Sequence, residues 1–168
     1  ITGKRHDFHA DYEVGFSDKG IIEGVKIKLL SRCGISPDLS GAINSRALLH
    51  IDNAYYLSDV AVENYLCKTN TSSSTAFRGF GGNQGMMIIE NIIDNVAKYL
   101  KKDSAIIRKI NFYQKNKKNI THYGMRIQDN VINEIFSKLI ISSNYKNRKL
   151  NIKKFNLKNK YLKKGIAI

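Results

Sequence analysis

Residues 69–85 (TNTSSSTAFRGFGGNQG) are almost free of aliphatic side chains, and within them four glycines (79, 81, 82 and 85) fall inside seven residues. Glycine lets a backbone adopt positive φ and approach a ligand with no Cβ in the way. The stretch runs straight into an apolar helical pattern, and a helix start offers unpaired N–H groups to an anion. Phe77 and Phe80 stand in these polar surroundings and must either line a pocket or fold into the core. A tight structural turn ahead of a helix would use the same glycines, so the loop by itself names no ligand.

The elements that must position this loop are legible from periodicity. Residues 10–17 alternate, with Tyr12, Val14 and Phe16 on one face, and residues 21–31 alternate again after a turn at Asp18-Lys19-Gly20. That pattern predicts a hairpin. Residues 32–44 read as a loop, residues 45–50 as a short helix and residues 60–68 as a strand. Residues 86–101 place apolar side chains at 88, 89, 92, 93, 96, 97 and 100, the period of an amphipathic helix. Asp103 and Ser104 read as caps of a short helix through Asn111. Two more helices are expected over 127–141 and 145–157, started by Asp129 and by Ser142-Ser143. The expected class is α+β, with antiparallel strands and the active-site loop in 1–85 and a mainly helical part in 86–168.

Charge is uneven along the chain. Residues 1–97 carry 9 Lys/Arg against 11 Asp/Glu, a net of −2, and residues 98–168 carry 19 against 3, a net of +16. Such a tail can mean nucleic-acid binding. Its lysines are interleaved with Asn and Ile, however, and Phe112, Tyr113, Phe136, Tyr145 and Phe155 mostly fall at apolar helix spacing. A solvated basic face over core aromatics is therefore expected, and a nucleic-acid partner is disfavoured. Cys33 and Cys67 show no metal-ligand spacing and are expected as buried thiols in a reducing cytoplasm. No run approaches the roughly 20 apolar residues of a membrane helix, so no membrane partner is expected. Ile1 at the start and Gly165-Ile166-Ala167-Ile168 at the end, which reads as a strand beginning, suggest an internal fragment of a longer chain.

The run KTNTSSSTAFRGFGGNQG resembles the signature of the molybdenum hydroxylases, the xanthine dehydrogenase and aldehyde oxidase family. GKRHDFHADYEVGF, SRALLHIDNAYYL, INFY at 110–113, YGMRIQDNVI at 123–132 and LKKGIAI resemble the same family in the same order. The arginine of SRALLH inclines the resemblance to the xanthine dehydrogenase branch.

The resemblance implies a molybdenum–molybdopterin cofactor. It also implies [2Fe–2S] clusters and FAD on other domains or subunits, a purine as substrate and the rest of the molybdenum subunit as partner. The implied reaction hydroxylates hypoxanthine and xanthine to urate with oxygen from water. By this resemblance Arg78 matches the position whose backbone amide approaches the ligands of the metal. Phe77 and Gly79 flank it at the cofactor. Phe80 matches one of two rings that sandwich the purine, and Arg46 matches the arginine facing a purine carbonyl. The family's glutamate base falls outside this segment, so the fragment is not expected to catalyse alone. Asn83 stands where the family has proline. Two other readings stay open: an aldehyde or aromatic-heterocycle hydroxylase of the same family, and a non-catalytic remnant of a decayed gene.

Overall fold

The computed structural model describes residues 3–168 and divides after Gln128 into two compact units. In the first unit, strands β1 (Phe8–Phe16) and β2 (Ile22–Gly34) form the expected hairpin. Its turn is closed by Ser17 and Gly20, the Gly20 N–H donating to the Ser17 carbonyl at 2.7 Å. Alternation assigns the two faces. Val25, Ile27 and Leu29 point into the core. On the opposite face Lys28 lies between Asp11 and Glu63, and Lys26 lies opposite Glu13. A one-residue slip would bury these charges and expose the aliphatics, so the pattern pins the register.

Strand β3 (Val60–Lys68) pairs with the other side of β2, giving the sheet order β1-β2-β3. Here the structure departs from the expected antiparallel arrangement, because β3 runs parallel to β2. The physical reason lies in the connection. A parallel neighbour needs a crossover of a dozen or more residues, usually a helix, and residues 35–59 supply one that contains helix α1 (Ser40–Leu49). Alternation within 60–68 reports a strand but not its direction. Helix α1 also begins five residues earlier than expected, because Ser40, Ile43 and Asn44 are buried and give the segment an inward face.

Helix α2 (Gly82–Tyr99) buries Ile89, Ile92, Ile93, Val96 and Ala97, the predicted stripe, and packs on α1, α3 and β1. Helix α3 (Ser104–Asn111) starts where its cap predicts, with the Asp103 carboxylate accepting from the Ala105 N–H at 3.0 Å. Its last residue ties the hairpin to the helices. The Asn111 side chain accepts from the Ile22 N–H at 2.9 Å and donates to the Gly20 carbonyl at 2.8 Å. Phe112 and Tyr113 are buried, with Phe112 stacked on Tyr55 at 5.7 Å.

The second unit, residues 129–168, is a pair of helices, α4 (Ile132–Ser142) and α5 (Tyr145–Lys158). Helix α5 starts at Tyr145 as expected, α4 starts five residues later than expected, and neither is started by the expected Asp129 or Ser142-Ser143. Asn130 accepts from the Ile132 N–H at 3.1 Å, and Asn144, at φ +49°, makes the turn between the helices. Asparagine tolerates this left-handed conformation better than other non-glycine residues. Phe136 and Tyr145 are buried, as expected of core aromatics, while Phe155 is half-buried under the Lys164 ammonium. Residues 165–168 form no strand.

Contact between α1 and α2 depends on missing side chains. A Cβ at Gly81 would overlap the Ile43 carbonyl, and one at Gly85 would overlap the Ala47 carbonyl. Gly85→Ala should therefore lower stability by about 1–3 kcal/mol, the usual range for overpacking. Gly41→Ala, which meets nothing within 4 Å, should be neutral or stabilise by about 0.5–1 kcal/mol from helix propensity alone. Urea midpoints of the two variants test this, and equal effects would contradict it.

Candidate functional site

The segment between β3 and α2 carries the predicted loop. It is held at its near end by Ser74, whose N–H donates to the Cys33 carbonyl at 2.9 Å, and by Thr75, whose N–H donates to the Lys4 carbonyl at 2.9 Å. Beyond Thr75 the chain turns sharply. Gly79, Phe80 and Gly81 are consecutive residues in the left-handed region, at φ +102°, +49° and +93°. Two glycines accept that conformation freely, but a phenylalanine does not, and backbone strain of this kind costs on the order of 1–3 kcal/mol. It persists because the surroundings fix the turn: Phe80 N–H donates to the Phe77 carbonyl at 3.0 Å and Gly82 N–H to the Gly79 carbonyl at 2.9 Å. Asn83 folds back over Gly79 and fills the space that a Cβ there would need.

Arg78 and Gly79 are exposed at the crest of the turn. Among the described residues, the N–H groups of these two have no hydrogen-bond partner. Phe77 is 58% exposed, with the Arg5 guanidinium 4.5 Å from its ring centroid. Phe80 is half-buried.

Arg46 lies on the exposed side of α1, one turn before His50. Both reach the start of α2. The position a Gly82 Cβ would occupy is 3.7 Å from Arg46 Nε and 3.3 Å from the His50 ring. The structure thus brings Arg46 to the helical end of the glycine turn, although 36 positions separate Arg46 from Gly82 in the chain.

Sequence reasoning missed a buried polar group beside the loop. His6 is 2% exposed, and its Nε2 is 2.7 Å from Ser40 Oγ. The Gln84 amide donates to the His6 carbonyl at 3.2 Å, and Asn44 donates to the Ser40 carbonyl at 2.8 Å. Arg5 Nη1, His6 Nδ1, Asn44 Oδ1 and Gln84 Oε1 are buried with no partner among the described residues. Nothing in the spacing of Arg5 and His6 marks them, because their partners lie in α1 and α2. Among the described residues, no three His, Cys, Asp or Glu side chains are placed to hold a metal ion. Cys33 is buried and Cys67 half-buried, and neither forms a disulfide.

Open N–H groups at a strained glycine turn suit an anionic group. A family model described as the molybdopterin cofactor-binding domain matches residues 1–112. The chain belongs to this family. It is 40% identical over 167 residues to xanthine dehydrogenase of Dictyostelium discoideum, covering 99% of this chain and 12% of that protein. It is 40% identical over 168 residues to xanthine dehydrogenase/oxidase of Gallus gallus, covering 100% of this chain and again 12% of the relative. The fold resembles that of aldehyde oxidoreductase from Desulfovibrio desulfuricans ATCC 27774, with TM-score 0.81, 22% identity, and coverage of 90% of this chain and 16% of the other. Quinoline 2-oxidoreductase from Pseudomonas putida 86 gives TM-score 0.80 at 18% identity, covering 95% and 21%. At these identities the two structures speak for the fold alone. The molybdopterin-binding chain thus spans about one-eighth of the length of the relatives it matches. None of its helices, among the described residues, is long and apolar enough to cross a membrane.

Electrostatics beside the site follow from burial. Burial pushes the Asp52 carboxyl above its ordinary value, against the hydrogen bond it accepts from the Tyr113 hydroxyl at 2.7 Å. Burial likewise holds His6 below its ordinary 6.5, although Asp38 and Asp7 favour its charged form. An unfolded chain takes up a proton at this histidine near pH 6.5, and the folded chain does so only at lower pH. Stability from neutral His6 is therefore present above about pH 6.5 and declines as pH falls below it. The urea midpoint should drop more steeply from pH 7.5 to pH 5 in the native chain than in His6→Gln; parallel pH dependences would contradict this.

Proposed function

We propose that this chain supplies the cofactor-facing loop and part of the purine pocket of a molybdenum hydroxylase of the xanthine dehydrogenase kind. The observation that carries the reading is the placement of Arg46 against Gly82, which puts one guanidinium at the end of the turn bearing the open amides of Arg78 and Gly79. The 40% identity to xanthine dehydrogenases over the whole chain supports the same reading.

When bound, the cofactor supplies the two-electron centre and the oxygen transfer from water, chemistry that no side chain here could provide. The chain's own residues then have separable tasks. The N–H groups of Arg78 and Gly79 donate to anionic ligand oxygens from a backbone already fixed by its turn, so little reorganisation accompanies binding. Phe77 and Gly79 bound that contact. Phe80 offers a flat ring to a flat heterocycle, with the second ring supplied from outside this segment. Arg46 faces a purine carbonyl. Hydroxylation drives negative charge onto the ring system, and a guanidinium at that oxygen stabilises the transition state more than the ground state. The proton-accepting glutamate, the [2Fe–2S] clusters and FAD belong to other parts of the polypeptide or to partner subunits. The thiols of Cys33 and Cys67, both unpaired, accord with a cytoplasmic setting.

The test is a chimera in which this chain replaces the matching stretch of the Gallus gallus relative. Arg46→Met should lower kcat/KM for xanthine by about 10²–10³, the usual loss on removing one transition-state donor, and spare a small aromatic aldehyde. An equal loss on both substrates would assign the site to general aldehyde or heterocycle hydroxylation instead.

A further inference from the structure

Three consecutive residues ahead of β1 each hold a different part of the site. The Lys4 carbonyl accepts from the Thr75 N–H at 2.9 Å, at the root of the glycine turn. The Arg5 guanidinium covers the Phe77 ring at 4.5 Å, on the turn itself. The His6 ring meets Ser40 Oγ at 2.7 Å in the first turn of α1, and its carbonyl accepts from Gln84 in the first turn of α2. Gly3 lies so close to the loop that a Cβ there would stand 2.6 Å from Thr75 Cγ2 and 2.8 Å from the Ser73 carbonyl. Residues 3–6 thus form a strap joining every element that carries a candidate site residue.

The histidine is the centre of the strap. Ser40 is fully buried, so its hydroxyl depends on partners inside the protein. With His6 Nδ1 unpartnered among the described residues, the less costly arrangement puts the proton on Nε2, donating to Ser40 Oγ. The bare nitrogen is then an acceptor, not a buried unpaired N–H. Ser40 in turn presents its carbonyl to Asn44, so the register of the first turn of α1 depends on the same contact. Arg46 follows Ser40 by six residues, about 9 Å along the helix. Displacing the start of α1 moves that guanidinium relative to the loop.

We infer that His6 is a positioning residue: through Ser40 and Gln84 it holds the guanidinium of Arg46 and the open amides of Arg78 and Gly79 in fixed relation, touching neither cofactor nor substrate. Its catalytic consequence rests on the proposed function, whereas its effect on loop order does not. Glutamine can place an N–H where His6 Nε2 stands, and leucine cannot. Ser40→Ala removes the acceptor from the other side and leaves the histidine in place.

The experiment has two arms. In the 168-residue chain, hydrogen exchange at the Phe80 and Gly82 amides, the ones bonded within the turn, should rise at least tenfold in His6→Leu and less in Ser40→Ala. It should stay near native in His6→Gln, with Ile27 and Leu29 at the centre of β2 unchanged in all three. In the Gallus gallus chimera, His6→Leu should lower kcat for xanthine at least tenfold with a smaller change in KM, and His6→Gln should restore it. The inference is overturned if loop exchange stays native in His6→Leu, if Ile27 and Leu29 accelerate equally, or if glutamine fails to rescue. It is also overturned if Arg46→Met lowers xanthine turnover and His6→Leu does not. If neither variant lowers turnover while loop exchange rises as expected, the proposed function fails and the strap's hold on the loop stands.

Discussion

The site depends on one close approach, that of the α1 backbone to the glycine turn and first helical turn of α2. Helix axes ordinarily stand 8–10 Å apart because side chains lie between them. Here Gly81 and Gly85 remove those side chains, so the carbonyls of Ile43 and Ala47 take the space a Cβ would fill. At Gly82 a Cβ would only touch the neighbouring side chains, 3.3 Å from the His50 ring and 3.7 Å from Arg46 Nε. The glycine cluster therefore has two physical roles at once. Its left-handed residues make the turn that exposes the amides of Arg78 and Gly79, and its helical residues let α1 carry Arg46 up to that turn.

A part-buried polar brace further along α2 adds to the helix contact. Glu90 accepts from the Tyr55 hydroxyl at 2.6 Å, from Asn53 at 3.0 Å and from Arg108 Nε at 2.9 Å. Arg108 also reaches Asp94 at 3.0 Å. One carboxylate so joins the segment following α1 to α2 and α3. Arg108 is 11% exposed, and burying a guanidinium is costly unless it is paired and hydrogen-bonded. Two carboxylates engage Nε and Nη2 of the guanidinium, while Nη1 is buried with no partner among the described residues. Burial and the neighbouring Glu90 push the Tyr55 hydroxyl well above the usual tyrosine range, so it remains a donor at any working pH. The strap at residues 3–6 meets α2 at Gln84, and this brace meets it at Glu90 and Asp94.

Charge is handled differently in the two units. On the solvent face of the sheet, acidic and basic side chains alternate across strands, as in the row Asp11, Lys28, Glu63, and each neighbour offsets the next. Residues 129–168 carry 10 Lys/Arg against 2 Asp/Glu, too few acids to offset them, with Lys138 paired to Glu134. Phe136 and Tyr145 are nevertheless buried there, so the basic side chains surround a small apolar core.

Local order was legible in the sequence. The hairpin, the stripe of α2, the Asp103 cap and the composition of residues 75–85 all follow from periods and propensities that act within about a dozen residues. The motif text around AFRGFGG carried the family resemblance for the same reason. What the sequence could not state was direction and proximity. Alternation is identical in parallel and antiparallel strands, so β3 took its direction from the crossover through α1. The beginning of α1 was hidden because Ser40 and Asn44 are polar residues buried by partners elsewhere. His6 meets Ser40 across 34 positions and Gln84 meets His6 across 78, distances over which no spacing rule operates. Residue types thus fixed which groups could bind an anionic cofactor. Only tertiary packing, through the side chains absent at Gly81 and Gly85, decided that Arg46 would stand beside them.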